Sequence, residues 1–348
     1  MRRALTMTAA MTTLALGMTA CGSSESTGGD EKAKTTDLKV GMAYDVGGRG
    51  DQSFNDSAAK GLDRAKDKLG AKIKDSSART GESESAREQR LQSLVDGGFT
   101  TVIAVGYAYA EAVGKVAKAN PDVNFAIIDD ASKASAGTNV AQITFAEHEG
   151  SYLAGAAAVM KSKKKHLGFV GGVETPLIKK FEAGFVAGAK KADPKAKVEV
   201  NYLTQPPDFS GFADPSKGKT AAQGMYQKGA DIVYHAAGGS GAGVFDATAS
   251  AGKGNWAIGV DSDQAKTAKA SVRPLILTSV VKNVDVGVYD FIKSVQVGSF
   301  KGGAKEFTLK DGGVSLATTG GNIKDIQPEL DKLKKQITNG DIKVPTSP

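Results

Sequence analysis

The sequence has few of the residues that form disulfide, metal and hydrolytic sites. Its 348 residues include one cysteine and three histidines. A single cysteine excludes an internal disulfide framework and any metal site built from several thiolates. The histidines, His148, His166 and His235, form no metal-binding pair and lie in no GxSxG or HExxH segment. Because no nucleophile is paired with a base, we expect a binding protein with no enzyme activity, no metal and no cofactor.

Aromatic residues are also scarce, at 6% of the chain. The 40% of hydrophobic residues and the 43 glycines are typical of an α/β protein, and the length suffices for two domains. The formal net charge of +7 is scattered, apart from the lysines within residues 161–165. Since few aromatic residues lie nearby, we interpret this cluster as a solvated helix end and expect no nucleic-acid partner.

The first residues are typical of an export signal. A basic start is followed by the apolar run Ala4–Leu16, which is too short to span a bilayer permanently. The segment Met18-Thr19-Ala20-Cys21 resembles a bacterial lipobox. We therefore expect residues 1–20 to be a lipoprotein signal peptide, Cys21 to carry lipid, and residues 21–37 to form a flexible tether. The alternative is an ordinary secretory signal that ends in an incidental cysteine.

Strand and helix patterns alternate from Leu38 onward. Short apolar runs separated by helical periodicity predict parallel sheets that are covered by helices on both faces. We therefore expect an α/β fold of two doubly wound parallel-sheet lobes. The predicted strands form two series, Lys39–Ala43, Lys72–Asp75, Thr101–Val105, Asn124–Ile128 and Val140–Phe145, then Leu167–Val170, Lys197–Tyr202, Asp231–His235, Asn255–Val260 and Leu275–Val280.

The two series share landmarks at equal spacings. Phe54 and Phe181 each lie near the start of a predicted helix and precede a helical glycine by the same number of residues. In both series a strand leads into glycine, and the next strand ends in an aspartate, Asp129 or Asp261. If the lobes face each other, these four residues border one cleft. A planar ligand between two aromatic rings follows, because stacked rings gain dispersion and apolar burial; burial of the rings in separate cores is the alternative.

The loop between the first strand and the first helix is rich in polar side chains. Loops at the carboxyl ends of parallel strands form the ligand sites of open α/β sheets. This loop carries the carboxylates Asp45, Asp51 and Asp56, the amide Asn55 and the aromatic Phe54. Ser53 and Asp56 also fit a capping box that starts the helix. The capping box leaves Phe54 and Asn55 unexplained.

Two further segments offer polar contacts. The glycine-rich segment Gly238–Gly243 joins a strand to a helix, and its bare backbone N–H groups suit an oxygen-rich ligand or an anion. It matches neither GxGxxG nor a Walker A loop, and a tight turn is the alternative. The carboxylate of Asp261 can accept hydrogen bonds from two neighbouring hydroxyls of a ribose or a sugar. Lys282 would keep this carboxylate ionised and donate to the same hydroxyls; a solvated surface position is the alternative.

Six segments in combination resemble the basic membrane protein (Bmp, PnrA-like) family. The similarity covers roughly Leu38 to Asn322, nearly the whole mature chain. The segments are Asp51–Asn55 with the preceding Asp45, Val102–Tyr107, Phe125–Asp129, Gly150–Gly155, Phe181–Phe185 and Thr278–Asn283. Members of this family are lipoprotein substrate-binding components of ABC importers. They have a type I periplasmic-binding fold and typically bind purine nucleosides.

The resemblance implies a role for each matching residue. Residues 47–50 make the first loop unusually glycine-rich with one basic residue, which leaves the preferred base open. The implied ligand contacts are Phe54 and Phe181 on the two faces of the base, Asp45 and Asn55 on its polar edge, and Asp129, Gly238, Asp261 and Lys282 on the ribose.

The implied fold divides the chain into two lobes joined by a three-segment hinge. We expect residues 38–142 with 283–306 in the N-terminal lobe, and 143–282 with 307–340 in the C-terminal lobe. A ligand contacts both lobes only when they close, and closure signals occupancy to a permease. We expect a monomer, lipid-anchored on the extracytoplasmic face of the cell membrane, that delivers purine nucleosides to an ABC permease and its ATPase.

Three other functions compete with this interpretation. The same fold could bind a sugar or another small solute, or the protein could be a surface lipoprotein without a transport role. An enzyme such as a nucleoside hydrolase is the third alternative, and the lack of an aspartate-rich metal cluster argues against it.

Overall fold

The computed structural model describes residues 37–348. The expected signal peptide, the expected lipidation site Cys21 and the expected tether up to residue 36 lie outside the described residues. Twelve strands and ten α-helices follow one another in the described part. The strands are β1 (Lys39–Tyr44), β2 (Lys72–Ser77), β3 (Thr101–Val105), β4 (Asn124–Ile128), β5 (Val140–Phe145), β6 (His166–Val173), β7 (Lys197–Thr204), β8 (Ile232–Ala236), β9 (Trp256–Asp261), β10 (Ile276–Lys282), β11 (Gly303–Phe307) and β12 (Val314–Leu316).

The helices alternate with the strands, as the apolar periodicity predicts. They are α1 (Phe54–Leu69), α2 (Glu84–Asp96), α3 (Ala110–Ala119), α4 (Glu147–Lys161), α5 (Pro176–Ala192), α6 (Pro215–Gln227), α7 (Gly241–Ala251), α8 (Gln264–Thr267), α9 (Val284–Gln296) and α10 (Gln327–Thr338). Among residues 37–348, none of these helices is both long and apolar enough to cross a bilayer.

The strands form two six-stranded sheets with matching order. The first runs β11-β5-β4-β3-β1-β2 and the second runs β12-β10-β9-β8-β6-β7. All pairings are parallel except that of β10 with β12. Successive residues of a strand point to opposite faces of the sheet. In β1, Met42 packs against α1 on one face, and Ala43 packs against α2 and α3 on the other face. Helices therefore cover both faces, and the predicted pair of doubly wound lobes is confirmed.

The chain crosses between the two sheets three times. The crossings follow β5, β10 and β11, at Ala146, at Asn283 and at residues 308–313. Strand β5 stays in the first sheet through Phe145, so the first crossing begins a few residues beyond the expected boundary at residue 142. Hereafter the first lobe means the first sheet with its helices, and the second lobe means the second sheet with its helices. The behaviour of these lobes as independent domains stays a prediction.

The glycines that follow the two paired phenylalanines have one physical role. A Cβ on Gly61 of α1 would lie 2.6 Å from the carbonyl oxygen of Asp285 in α9. A Cβ on Gly188 of α5 would lie 1.9 Å from the carbonyl oxygen of Tyr152 in α4. Both distances are below van der Waals contact, so only glycine allows these helices to approach so closely. The equal spacings in the sequence therefore reflect equivalent helix packing in the two lobes.

Candidate functional site

A cavity lies between the lobes, at the carboxyl ends of the central strands. All eight residues predicted from the sequence to contact a ligand line it. They are Asp45, Phe54, Asn55, Asp129, Phe181, Gly238, Asp261 and Lys282. The strand order explains the convergence, because β1, β3 and β4 of the first sheet occupy the same positions as β6, β8 and β9 of the second.

The loop before α1 is organised by Asp51. Its carboxylate accepts the backbone N–H groups of Ser53 (2.9 Å), Asn55 (2.8 Å) and Asp56 (3.0 Å). Ser53 occupies the N-cap position, but its side chain makes no capping hydrogen bond. Asp56 instead accepts the N–H groups of Gly50 and Gln52. The expected capping box between Ser53 and Asp56 is therefore wrong, because a carboxylate two residues upstream already satisfies the helix start.

The side chain of Asn55 is held by this loop in a single orientation. Its oxygen accepts the N–H of Asp45 (3.1 Å), and its Nδ2 donates to Asp51 (3.0 Å) and to the carbonyl of Val46 (3.3 Å). Both amide hydrogens are therefore used within the protein. Asn55 faces the cavity with only a remaining acceptor position on its oxygen.

Asp45 is buried at the end of β1, with one oxygen engaged and the other free. Oδ1 accepts the N–H of Val46 at 2.8 Å. Oδ2 faces Gly106, where a Cβ would lie only 2.6 Å away, and Gly106 adopts a φ of +105°. Burial raises the pKa of Asp45 to about 6, while the Val46 N–H and the charge of Arg87 act in the opposite direction.

The two phenylalanines face the same buried ammonium group. The Nζ of Lys282 lies 5.0 Å from the ring centroid of Phe54 and 5.7 Å from that of Phe181. Both rings therefore border the same part of the cavity, one from each lobe. Phe54 is the first residue of α1, whereas Phe181 lies in the second turn of α5. The sequence analysis expects both phenylalanines near the start of a helix, and only Phe54 lies there.

Asp129 and Asp261 occupy equivalent places in the two lobes. Asp129 directly follows β4 and Asp261 ends β9. Both adopt left-handed backbone angles, with φ of +69° and +61°. This conformation is uncommon outside glycine and turns both carboxylates out of their strands toward the cavity. Burial raises the pKa of both groups, against the opposing charge of Lys282.

Lys282 is an internal cation rather than a surface lysine. Its side chain is 2% exposed, and its Nζ lies 2.5 Å from Asp129 and 3.1 Å from Glu147. Asp129 and Glu147 are its direct partners, and its charge also lowers the pKa of Asp261 against the effect of burial, in the direction that the sequence analysis expects. Burial alone would lower the pKa of Lys282, but the surrounding carboxylates, Asp129 first, raise it above its ordinary value.

Gly238 has the backbone that the tight-turn interpretation requires. Its φ is +53°, and it begins a single 3₁₀ turn, Gly238–Ser240, that leads into α7. A Cβ at Gly238 would lie 3.1 Å from the carbonyl oxygen of Phe212. The glycine therefore satisfies a turn and also leaves room at the cavity wall.

Several lining residues were not among the ligand contacts predicted from the sequence. The additional side chains with polar or aromatic character are Asp51, Tyr107 and Phe212. Asp51 and Tyr107 lie in the segments that follow the strands β1 and β3. Their position after a strand end was therefore a sequence signal for the ligand site. Phe212 lies in a loop without strand or helix periodicity, and no sequence signal pointed to it. Glu147 was missed because its partner Lys282 is distant in the sequence.

The site offers apolar faces, several acceptors and one cation. Such a set suits a flat ligand with N–H or O–H donors on its edges. Across residues 37–348, no three histidine, cysteine or carboxylate side chains are arranged to hold a metal ion. The arrangement supports binding and orientation of a small polar molecule.

Comparison with known proteins places this architecture in a family. Residues 38–348 match the family model described as Bmp, ABC transporter substrate-binding protein PnrA-like. The chain is 37% identical to the CD4+ T-cell-stimulating antigen of Listeria innocua and 36% identical to the ABC transporter nucleoside-binding protein BmpA of Lactococcus lactis, each over 94% of both chains. A solved ABC transporter solute-binding protein from Aeropyrum pernix superposes with a TM-score of 0.76 at 29% identity, covering 88% of this chain and 94% of that one. The chain therefore belongs to the Bmp family of PnrA-like ABC transporter substrate-binding proteins.

Proposed function

We propose that this substrate-binding protein takes up purine nucleosides in the cleft between its lobes. It would deliver them to an ABC permease and its ATPase. The observation that carries the proposal is the presence of the rings of Phe54 and Phe181 and of four aspartate side chains around one cavity. Aromatic rings hold a base by stacking, and carboxylates accept the N–H and O–H donors of a nucleoside. The name of the Lactococcus lactis relative, a nucleoside-binding protein, supports the same ligand class.

Each lining residue has a role in this proposal. Phe54 and Phe181 enclose the base, and Asp45 accepts hydrogen bonds from its edge. Asn55 holds the loop beneath the base and offers its remaining acceptor position. The ribose lies toward the other strand ends, where its contacts are Asp129, Gly238, Asp261 and Lys282.

The proposed attachment of the protein to the membrane rests on the N-terminal sequence. Residues 18–21 resemble a lipobox, and lipidation of Cys21 would hold the protein at the extracytoplasmic face of the cell membrane. Metabolic labelling with a radioactive fatty acid tests this part of the proposal. Label should enter the wild-type protein and be absent from Cys21→Ser.

Isothermal titration calorimetry tests the ligand class. Purified protein, freed of bound ligand by unfolding and refolding, would be titrated with guanosine, adenosine, inosine, ribose and glucose. We expect at least one purine nucleoside to bind with a dissociation constant of about 1 μM or lower, and the two sugars not to bind. Binding of a sugar without binding of any nucleoside would refute the nucleoside proposal and leave the family assignment in place.

A further inference from the structure

One segment of the first lobe makes a group of hydrogen bonds to the second lobe. The Oγ of Ser53 donates to Oδ2 of Asp261 at 2.6 Å. The backbone oxygen of Ser53 accepts from Ser262 at 3.3 Å, and that of Gln52 accepts from Gln264 at 3.0 Å. The donors and acceptors belong to the loop before α1 on one side and to the last residue of β9 and the residues that follow it on the other. These contacts therefore exist only while the two lobes are together.

The orientation of the Ser53 hydroxyl is unusual for its position. A serine at a helix N-cap ordinarily accepts a hydrogen bond from the backbone of its own first turn. Here the Asp51 carboxylate accepts those N–H groups. The Ser53 hydroxyl is consequently free to turn away from its helix, and it reaches a carboxylate in the other lobe. Ser53 is fully buried, so this hydrogen bond is shielded from water.

The Asp261 carboxylate depends on this contact for its orientation. Lys282, the cation of the cavity, is paired with Asp129 and Glu147. Within residues 37–348, Ser53 is the one side chain that donates a hydrogen bond to Asp261. The bond occupies Oδ2, and no side chain within the described residues donates to Oδ1. A buried carboxylate with one oxygen fixed and the other free is prepared to accept a ligand hydroxyl.

We propose that Ser53 is a positioning residue that orients Asp261 only when the lobes close on a ligand. The inference rests on the proposed nucleoside function, since Asp261 is the residue assigned to the ribose. When the lobes separate, Asp261 loses its donor and is hydrated instead. Closure restores the Ser53 contact and with it the carboxylate geometry that holds the ligand. Ser53 therefore governs how long a closed complex lasts, and has little effect on how fast a ligand enters the open cleft.

Stopped-flow binding of guanosine, adenosine and inosine to the full chain tests the proposal. The variant is Ser53→Ala, and the matched control is Ser83→Ala. Ser83 is also a helix N-cap, but its hydroxyl accepts the N–H of Ala86 on the exposed side of α2. For the nucleoside that wild type binds, we expect Ser53→Ala to dissociate about tenfold faster with an unchanged association rate. Ser83→Ala should bind as wild type does.

A double-mutant cycle separates positioning from a general structural effect. If Ser53 acts through Asp261, then Ser53→Ala should have less than a twofold effect on affinity in an Asp261→Ala background. Ser53→Cys provides a second variant of similar volume whose thiol is a weak donor, and it should also speed dissociation. This variant keeps the test decisive if the alanine variant folds poorly, as judged by circular dichroism.

The possible results distinguish the inference from the function on which it rests. Wild-type dissociation rates in Ser53→Ala or in a well-folded Ser53→Cys would overturn the inference and leave nucleoside binding intact. An undiminished effect of Ser53→Ala in the Asp261→Ala background would overturn it as well. Failure of the wild-type protein to bind any of the three nucleosides would refute the proposed function first, and the inference with it.

Discussion

The ammonium of Lys282 lies 2.5 Å from the carboxylate of Asp129 and joins the ends of β10 and β4, which belong to different lobes. Lys282 also directly precedes the crossing at Asn283, and its second partner, Glu147, directly follows the crossing at Ala146. The buried charges of the cavity are therefore anchored at two of the three connections between the lobes. A ligand that contacts Lys282 is thus in contact with a residue that borders one of these connections.

Removal of the Lys282 charge should destabilise the protein strongly. Lys282→Met would leave the carboxylates of Asp129 and Glu147 buried without their cation, and breaking such a pair costs about 3–5 kcal/mol. Urea unfolding would measure the loss. Lys180→Met is the control, because Lys180 lies 3.8 Å from Glu147 but is 27% exposed, and its removal should change stability by less than about 1 kcal/mol. Equal stability of Lys282→Met and wild type would contradict the account of the buried charges.

The stability of the protein should depend on pH through Asp45. Because its pKa is about 6 in the folded protein and about 3.9 in an unfolded chain, the folded state binds more protons between these values. Its contribution to stability is therefore complete below pH 4 and is lost as the pH rises through 6. Asp45→Asn should stabilise the protein by roughly 2 kcal/mol at pH 7.5 and have little effect at pH 4, as measured by urea unfolding.

Asp45→Asn should also weaken nucleoside binding. The carboxylate accepts hydrogen bonds from N–H groups of the base, whereas the NH₂ group of an amide is itself a donor and cannot accept them. A stabilising effect at pH 7.5 combined with weaker binding is the expected pair of results. A loss of stability at pH 7.5 would show that the buried charge is favourable and would contradict our interpretation of Asp45.

Asn55→Asp should disrupt the loop before α1. The Nδ2 of Asn55 donates to Asp51 at 3.0 Å, so a second carboxylate there would replace a hydrogen bond by repulsion between like charges. We expect a loss of about 3 kcal/mol or more at neutral pH by urea unfolding. Asn255→Asp is the control, because Asn255 donates to two backbone carbonyls and its replacement should cost less. Similar losses in both variants would argue against the role of Asp51 as the organiser of the loop.

The close approach of α4 and α5 should not tolerate a methyl group. Gly188→Ala would place Cβ 1.9 Å from the Tyr152 carbonyl oxygen, which forces the helices apart, and we expect a loss of several kcal/mol in stability. Gly224→Ala in α6 meets no atom within 4 Å and should stabilise by up to about 1 kcal/mol. Thermal unfolding of the two variants compares the positions directly. A harmless Gly188→Ala would mean that α5, and Phe181 with it, can shift.

Stacking should contribute equally to all purine nucleosides. Phe54→Ala and Phe181→Ala each remove one ring from the cavity wall, with an expected loss of about 1–3 kcal/mol in binding free energy. Because a ring face does not distinguish one purine from another, titrations with adenosine and guanosine should show the same loss. A loss confined to one nucleoside would indicate that the rings act on the base edge instead.

The sequence predicted the parts of the structure that depend on local patterns. Continuous apolar runs identified ten strands, and the equal spacing of Asp129 and Asp261 from glycine located two equivalent strand ends. The edge strand β11 was missed because four of its five residues are exposed and carry no apolar pattern. The partners of Lys282 and of Ser53 were also beyond sequence reasoning, since each contact joins residues more than one hundred positions apart. These pairings depend on how the two lobes contact each other, and local sequence patterns carry no information about that contact.

Identification of the molecule that co-purifies with the protein tests the central claim most directly. Wild-type protein and the double variant Phe54→Ala/Phe181→Ala would be purified in parallel, denatured, and their released small molecules identified by mass spectrometry. Our account predicts a purine nucleoside from the wild-type protein and little or none from the double variant. A different solute in the wild-type protein, or equal amounts of nucleoside from both proteins, would contradict it.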